Sequence, residues 1–322
     1  MKAGSNIKRV RLFHFNDFHR RLGPLNDGTG GAARLVGKIK QLEAENPGAI
    51  TVNLGDVCGD NTAQGPAHFS PIPELFNQAT VDILALGNHE FEDPSNDYQS
   101  LREGLIEPFQ GEVLVANVKH ADGRSIEGTK PYTIRKLQEQ SIAFIGVVTR
   151  DLGSAVFPAA GAALTTLPIE DTLRSLIPEV KSQGADAVVV LGHENLNTMK
   201  EIARTVPGID LALAAHDHRA TEAPEVVVRE DGSKSWVAEA DAYGRMVGQV
   251  DLLFEDGSFK EVQGLLHTVD ASSPSDPEAA RTVENYQPGP KVRTNNLKKK
   301  RTLTLNSFEE LAKHFAESKE TP

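Results

Sequence analysis

Apolar and polar positions alternate over residues 8–15 (KRVRLFHF), which predicts a strand running into Asn16-Asp17. Residues 31–45 (GAARLVGKIKQLEAE) set Leu35, Ile39 and Leu42 on one side of a helix. AITVNLGD is a β-rich run ending in Gly-Asp, PELFNQA reads as a short helix, and VDILALGNHE as a short strand ending in a loop. EVLVANV reads as another strand, and YTIRKL with SIAFIGVV as a hairpin. Residues 168–182 read as a helix despite Pro178. ADAVVVLGHE and IDLALAAHDH are apolar strands that end in polar loops. From residue 224 onward PEVVVRE, SWVAEA, GQVDLLF and SFKEVQGLL are successive strands, separated by Asp-Gly and other turn signals. Strands alternate with helices through residue 215 and then follow one another. That order predicts a layered α/β fold with added antiparallel strands, not a purely parallel doubly wound one.

The composition changes near residue 270, where ASSPSDPEAA reads as a linker or surface loop. The following NYQPGPKVRTNNLKKKR has almost no apolar periodicity. SFEELAKHFAES then carries a Ser307-x-x-Glu310 capping box, with Phe308, Leu311 and Phe315 at helical spacing. The boundaries expected are a domain over 1–268 and a linker and tail with one short helix over 269–322. With 39% hydrophobic and 25% charged residues the chain has the make-up of an ordinary globular protein. A single cysteine, Cys58, excludes an intrachain disulfide. No apolar run reaches the roughly 18 residues of a membrane span, and MKAGSNIKRVRLFHF has no apolar signal segment. The expected setting is therefore cytoplasmic, with no membrane partner. A formal charge of −11 works against nucleic-acid binding. The run Lys298–Arg301 reads as a solvated tail segment. The sequence sets no oligomeric state.

Five polar clusters each follow an apolar strand: Asp17-Phe18-His19, Gly55-Asp56, Gly87-Asn88-His89-Glu90, Gly192-His193-Glu194 and His216-Asp217-His218. Strand ends in open α/β sheets converge on one crevice, so five such clusters would surround one point. Histidine, carboxylate and amide oxygen form a ligand set that suits Mn, Fe, Zn or Co better than Ca, and it lacks the thiolates of a structural zinc site. The donors exceed what one metal can use; two metals sharing a carboxylate would accommodate them. Taken singly, each residue reads more simply as a turn, cap or structural histidine; the series outweighs that reading. His14, inside the first strand, reads as structural, and His68, His120, His267 and His314 as surface residues. Cys58 reads as a small packed side chain, Gly30-Gly31 as a turn before the helix, and Asp60 and Asn61 as part of the loop beside the site.

The series NDFH, GD, GNHEFE, GHE and AHDH, in this order and spacing, resembles the calcineurin-like metallophosphoesterase superfamily. Gly30-Gly31-Ala32-Ala33-Arg34, Ala116-Asn117-Val118 and Ala242-Tyr243-Gly244-Arg245-Met246-Val247-Gly248 point within it to the 5'-nucleotidase branch. The resemblance covers residues 8 to about 255. It implies a layered α/β/β/α sandwich with mixed sheets and two divalent metal ions. Asp17, His19 and His218 would hold one metal, and Asn88, His193 and His216 the second, with Asp56 bridging. His89 would approach the phosphate or the leaving oxygen. In the branch an acidic residue three positions on steadies this histidine; Glu92 stands there, with Asp93 beside it. Gly192-His193-Glu194-Asn195 replaces the usual Ser-His-x-Gly, and Ala215 the usual glycine, without removing a ligand. The implied activity is dinuclear metal-dependent hydrolysis of phosphate esters, foremost of a phosphomonoester, on a small phosphorylated substrate such as a nucleotide. The alternatives are a phosphodiesterase acting on cyclic nucleotides or other diesters, and a low-activity metal-binding subunit that needs a partner chain. No nucleophilic Gly-x-Ser-x-Gly or cysteine signature is present. The residues after 270 are too few for the branch's nucleobase-gripping domain.

Overall fold

The computed structural model describes residues 6–59, 65–92, 98–150, 152 and 164–286. In the first sheet β1 (Ile7–Phe15), β2 (Ile50–Asn53), β3 (Ile83–Ala85) and β4 (Glu112–Leu114) run parallel. β13 (Met246–Glu255) and β14 (Ser258–Thr268) extend it antiparallel beyond β1. In the second sheet β7 (Gln140–Val148), β9 (Ala187–His193), β10 (Leu211–Leu213) and β12 (Lys234–Ala238) are parallel. β6 (Tyr132–Leu137) and β11 (Glu225–Val228) flank it antiparallel. A small pair, β5 (Val118–His120) and β8 (Leu164–Thr166), stands apart.

Side-chain alternation sorts each strand between two cores. On β1, Val10 and Leu12 join the apolar layer between the sheets, while Phe13 and Phe15 face the outer helices. On β9, Val189 and Leu191 point into that shared layer, and Val188 and Val190 point away from it. Burial on both faces explains the near-continuous apolar runs of these strands. Helices α1 (Ala32–Glu45) and α2 (Ile72–Gln78) cover the first sheet through Leu35, Ile39, Ile72 and Leu75. Helices α3 (Ile169–Ser182) and α4 (Leu196–Thr205) cover the second through Leu173, Ile177, Met199 and Ile202. The result is the expected α/β/β/α layering with mixed sheets.

Two local readings change. EVLVANV is not one strand: β4 ends at Leu114 and β5 begins at Val118. Between them Asn117 turns its side chain onto β7, accepting from Val148 N (2.9 Å) and donating to the Val148 carbonyl (2.8 Å), so the chain leaves the first sheet there. Composition over 271–280 pointed to a linker, but Pro277–Asn285 forms helix α5. Asp276 caps it by accepting from Glu278 N and Ala279 N, with Pro277 at the first helical position. Ala279 is fully buried in the core over the first sheet, Asp276 pairs with Lys40 at 2.7 Å, and Thr282 accepts from Gln78 of α2. The expected tail helix at 307–318, the Lys298–Arg301 run, His314, Asp60, Asn61 and Asp93 lie outside the described residues. Among the described residues no helix is long and apolar enough to cross a membrane.

Candidate metal centre

Three of the five clusters leave the C-terminal ends of β1, β2 and β3 in the first sheet, and two leave β9 and β10 in the second. The crevice therefore lies between the two sheets, at the edge where parallel strands of both end. Backbone hydrogen bonds lock the loops together: Asp17 N donates to Gly55 O at 3.1 Å, His19 N to Asp56 O at 2.9 Å, and Ala215 N to Glu194 O at 3.3 Å. Gly87 must lack a side chain, because a Cβ there would collide with Asp56 Oδ1 and His193 Cε1.

The candidate ligands converge. His218 Nε2 lies 3.3 Å from Asp17 Oδ1, and His19 Nε2 lies 3.6 Å from the same oxygen and 3.1 Å from His218 Nε2. On the other side His193 Nε2 is 3.1 Å from Asp56 Oδ2, and the His193 and His216 rings are 5.3 Å apart. Asp56 faces both sides, with Oδ2 3.9 Å from His19 Nε2. Asp17, His19 and His218 form one compact donor group, and Asp56, His193 and His216 a second. Asn88 follows Gly87 directly, and its Oδ1 is buried without a hydrogen-bond partner. Asp17 Oδ1 and His193 Nε2 are likewise buried and unpartnered. Buried polar atoms are rarely left so, and each of these three belongs to a candidate ligand. The donor set fits a pair of divalent metals.

Neighbouring groups orient the donors. His193 Nδ1 lies 2.7 Å from the Leu54 carbonyl, which can only accept. Nδ1 therefore carries the proton, and Nε2 is the nitrogen presented to the crevice. Asp17 Oδ2 accepts from Asn16 Nδ2 at 2.7 Å and from His216 N at 2.9 Å, which leaves Oδ1 for the crevice. Glu90 is fully buried and accepts from the backbone N–H groups of Gly87, Asp56 and Val57 at 2.6, 2.9 and 3.0 Å. It ties the second motif to the third. Sequence reasoning quoted Glu90 without a role, and only the fold reveals the three amides that it meets; Asn16 was missed in the same way.

His89 lies between the two groups, in a third compact set with His19 and Asp56. Its Nδ1 lies 2.7 Å from Glu92 Oε1 and its Nε2 3.8 Å from Asp56 Oδ2. Glu92, one methylene longer than the aspartate of the resembling branch, thus reaches the ring. Burial opposes a charge on His89, but the Glu92 hydrogen bond and the Asp56 charge outweigh it and push its pKa up to about 9. Burial also opposes the charge of Asp17, yet the neighbouring His19 and His218 imidazoles hold its carboxyl well below the usual range. His193 follows the same logic: burial disfavours its cation, and Asp56 raises it to about 10. The histidine protons here balance two buried carboxylates, and divalent cations would compete with those protons.

The other histidines divide. His14 is buried, as its place in β1 implied. His68 and His120 are buried rather than surface residues, packed on Phe69 and Tyr98. His267 is half-buried and meets Gln249. Cys58 is fully buried, which pushes its thiol up to about 12.

Residues 10–220 match the family described as calcineurin-like phosphoesterase. The chain belongs to that family. This calcineurin-like phosphoesterase is 26% identical to human 5'-nucleotidase and 27% identical to the bovine protein, each over 86% of this chain and 52% of the relative. It therefore spans about half the length of these curated relatives. Among solved structures, a 5'-nucleotidase precursor from Thermus thermophilus superposes with a TM-score of 0.75 at 22% identity, covering 86% of this chain and 58% of that one. Calcineurin-like phosphoesterase YfkN from Bacillus subtilis superposes at 0.66 with 20% identity, covering 94% of this chain and 99% of that one. At these identities the structural matches establish the fold. The family is one of metal-dependent phosphoester hydrolases.

Proposed function

We propose that this calcineurin-like phosphoesterase is a dinuclear metal-dependent phosphomonoesterase, acting on a small phosphorylated substrate of nucleotide type. Asp17, His19 and His218 would hold one cation and Asn88, His193 and His216 the second, with Asp56 shared between them. The observation that carries the reading is the convergence of Asp17, His19, His218, Asp56, His193 and His216 in two donor groups, with Asn88 Oδ1 buried and unpartnered on the third motif. Mn, Fe, Zn and Co all suit the donor set. When bound, two such cations polarise the phosphoryl oxygens and activate water for attack on phosphorus. The chain's own contribution to leaving-group departure is His89. Glu92 accepts a hydrogen bond from Nδ1–H and fixes the ring, so Nε2–H faces Asp56 and can protonate the departing alkoxide. Leu54 and Glu90 hold His193 and the Asp56 loop in place. The relatives named 5'-nucleotidase support a nucleotide substrate.

The test is turnover by the isolated chain, loaded with Mn, of an aryl phosphate and of the corresponding bis-aryl diester. Faster monoester turnover is expected. Faster diester turnover would replace the reading with a phosphodiesterase. Two bound metals without turnover of either would leave a metal-binding subunit.

A further inference from the structure

The first ligand group draws on both sheets. Asp17 and His19 follow β1 of the first sheet and His218 follows β10 of the second, yet His218 Nε2 stands 3.3 Å from Asp17 Oδ1. The segment that leaves β12, residues 239–243, crosses between the two loops and bonds to each. Toward the first motif, Ala240 N donates to Asn16 Oδ1 at 3.2 Å, the Asp241 carbonyl accepts from Asn16 Nδ2, and Tyr243 N donates to the Asp17 carbonyl at 2.7 Å. Toward the fifth motif, Asp241 N donates to the Arg219 carbonyl at 2.7 Å, and the Glu239 carboxyl accepts from Arg219 N at 2.8 Å. Arg219 directly follows His218, which holds a left-handed φ of 57°. Glu239 therefore grips the peptide that leaves this turn. It is fully buried, and its own backbone is fixed by Thr221: Glu239 N donates to Thr221 Oγ1 at 3.0 Å, and Thr221 N donates to the Glu239 carbonyl at 3.0 Å.

We propose that Glu239 is a positioning residue for the first cation site: by holding the Arg219 amide it fixes the turn at His218, and with it the distance from that histidine to Asp17. This deepens the phosphoesterase reading and rests on it. Glu239 acts through the backbone and not on the substrate. His216 is held separately, its N–H tied to Asp17 Oδ2 at 2.9 Å, so the effect falls on one site of the two. The Glu239 carboxyl also meets that of Asp217; burial foremost, and then that neighbour, push its pKa up to about 9 against the Arg219 hydrogen bond. Glutamine, neutral and of equal length, keeps an acceptor for Arg219 N and a donor for Asp217.

The experiment measures Mn affinity by titration calorimetry in two backgrounds: His216→Ala, which removes a donor of the second group and reports on the first, and His218→Ala, which does the reverse. Adding Glu239→Leu should weaken Mn about 10- to 100-fold in the His216→Ala chain, the range expected when the support of a ligand is lost. In the His218→Ala chain it should leave the affinity unchanged. Glu239→Gln should restore the unaltered value in both. Equal weakening in the two backgrounds would overturn the proposal by making Glu239 a general prop of the fold, and so would unchanged affinity in both or a glutamine variant as weak as the leucine one. If Glu239→Leu does not fold, Glu239→Asp, which draws the carboxyl back from Arg219 N by one methylene, should show the same one-sided loss, and its absence overturns the proposal as well. The Mn count of the unaltered chain, read by elemental analysis, reports separately on the two-cation reading.

Discussion

Replacing His89 by glutamine separates the chemistry of the third motif from metal binding. Adjacent residues carry different proposed tasks: Asn88, whose Oδ1 is buried and unpartnered, would be a ligand, while His89, held by Glu92 at 2.7 Å, would be a proton donor. The Glu92 hydrogen bond and the Asp56 charge push the His89 pKa up to about 9, which favours the protonated ring that a donor needs. Loss of a general acid costs roughly 10²- to 10⁴-fold in kcat. The cost should depend on the leaving group, being small for nitrophenolate, which departs without protonation, and large for an alkoxide. Steady-state rates on nitrophenyl phosphate and on an alkyl phosphate, each with the metal content of the same preparation, measure this. Glu92→Gln should show the same leaving-group pattern at about a tenth of the severity, since the ring keeps its place but loses a charged partner. The concrete rival is on the structure itself, because His19, Asp56 and His89 also form a compact donor group. Loss of a metal in His89→Gln would make His89 a ligand and refute the argument. An equal loss across leaving groups would reduce it to a charge stabiliser.

Three further outcomes follow from the same geometry. Asp56→Asn should lower occupancy at both metal positions together, as elemental analysis reports, because Asp56 lies between the two donor groups; loss at one position alone would remove its bridging role. A chain ending at residue 268 should melt at a lower temperature than one ending at 286, since it loses the Ala279 and Thr282 contacts and the Tyr286 hydroxyl that accepts from Arg20 at 3.0 Å; equal melting temperatures would show that α5 adds nothing. His14 is fully buried and its pKa is lowered to about 4 by burial, so between that value and the unfolded 6.5 the unfolded chain binds the extra proton and stability falls as pH falls. The loss amounts to about 3 kcal/mol by pH 4, and urea unfolding of His14→Leu should lack that share of the acid destabilisation.

The strands were legible because burial on both faces writes itself as apolar runs, as in Ala187–Leu191, and because turn pairs such as Asp256-Gly257 punctuate them. The candidate ligands were legible as a series, for each ends such a run. What stayed hidden depended on contacts across the chain. Nothing local in EVLVANV tells that Asn117 will trade its own ladder for the Val148 backbone. Helix α5 was masked by its Ser, Pro and Asp content, although Asp276-Pro277 is itself a helix-start signal. His68 and His120 were misread because a lone histidine without a motif gives no sign of the aromatic ring that it packs on. The role of Glu90 needs three amides from two loops, and no spacing rule brings those together.

The site also concentrates backbone strain. Asp17, His19, Asp56, His216 and His218 all hold positive φ, with His216 at 84°. A non-glycine residue in the left-handed region costs about 1–2 kcal/mol, and such residues persist where neighbours over-determine them. At His216 the determinant is visible: its N–H donates to Asp17 Oδ2 at 2.9 Å, which aims the ring toward His193. Two truncations of this side chain should therefore differ in stability although both remove the same donor nitrogen. His216→Gly relieves the left-handed cost, whereas His216→Ala keeps it. Glycine loosens the unfolded chain, which offsets about 0.4–1 kcal/mol of that relief. The glycine variant should then be the more stable by about 0.5–1 kcal/mol in metal-free urea unfolding, the difference between those two magnitudes. Both should bind less metal at the second position than the unaltered chain. An alanine variant as stable as the glycine one would mean that the left-handed turn at His216 carries no strain, and the link between backbone strain and ligand placement would fall with it.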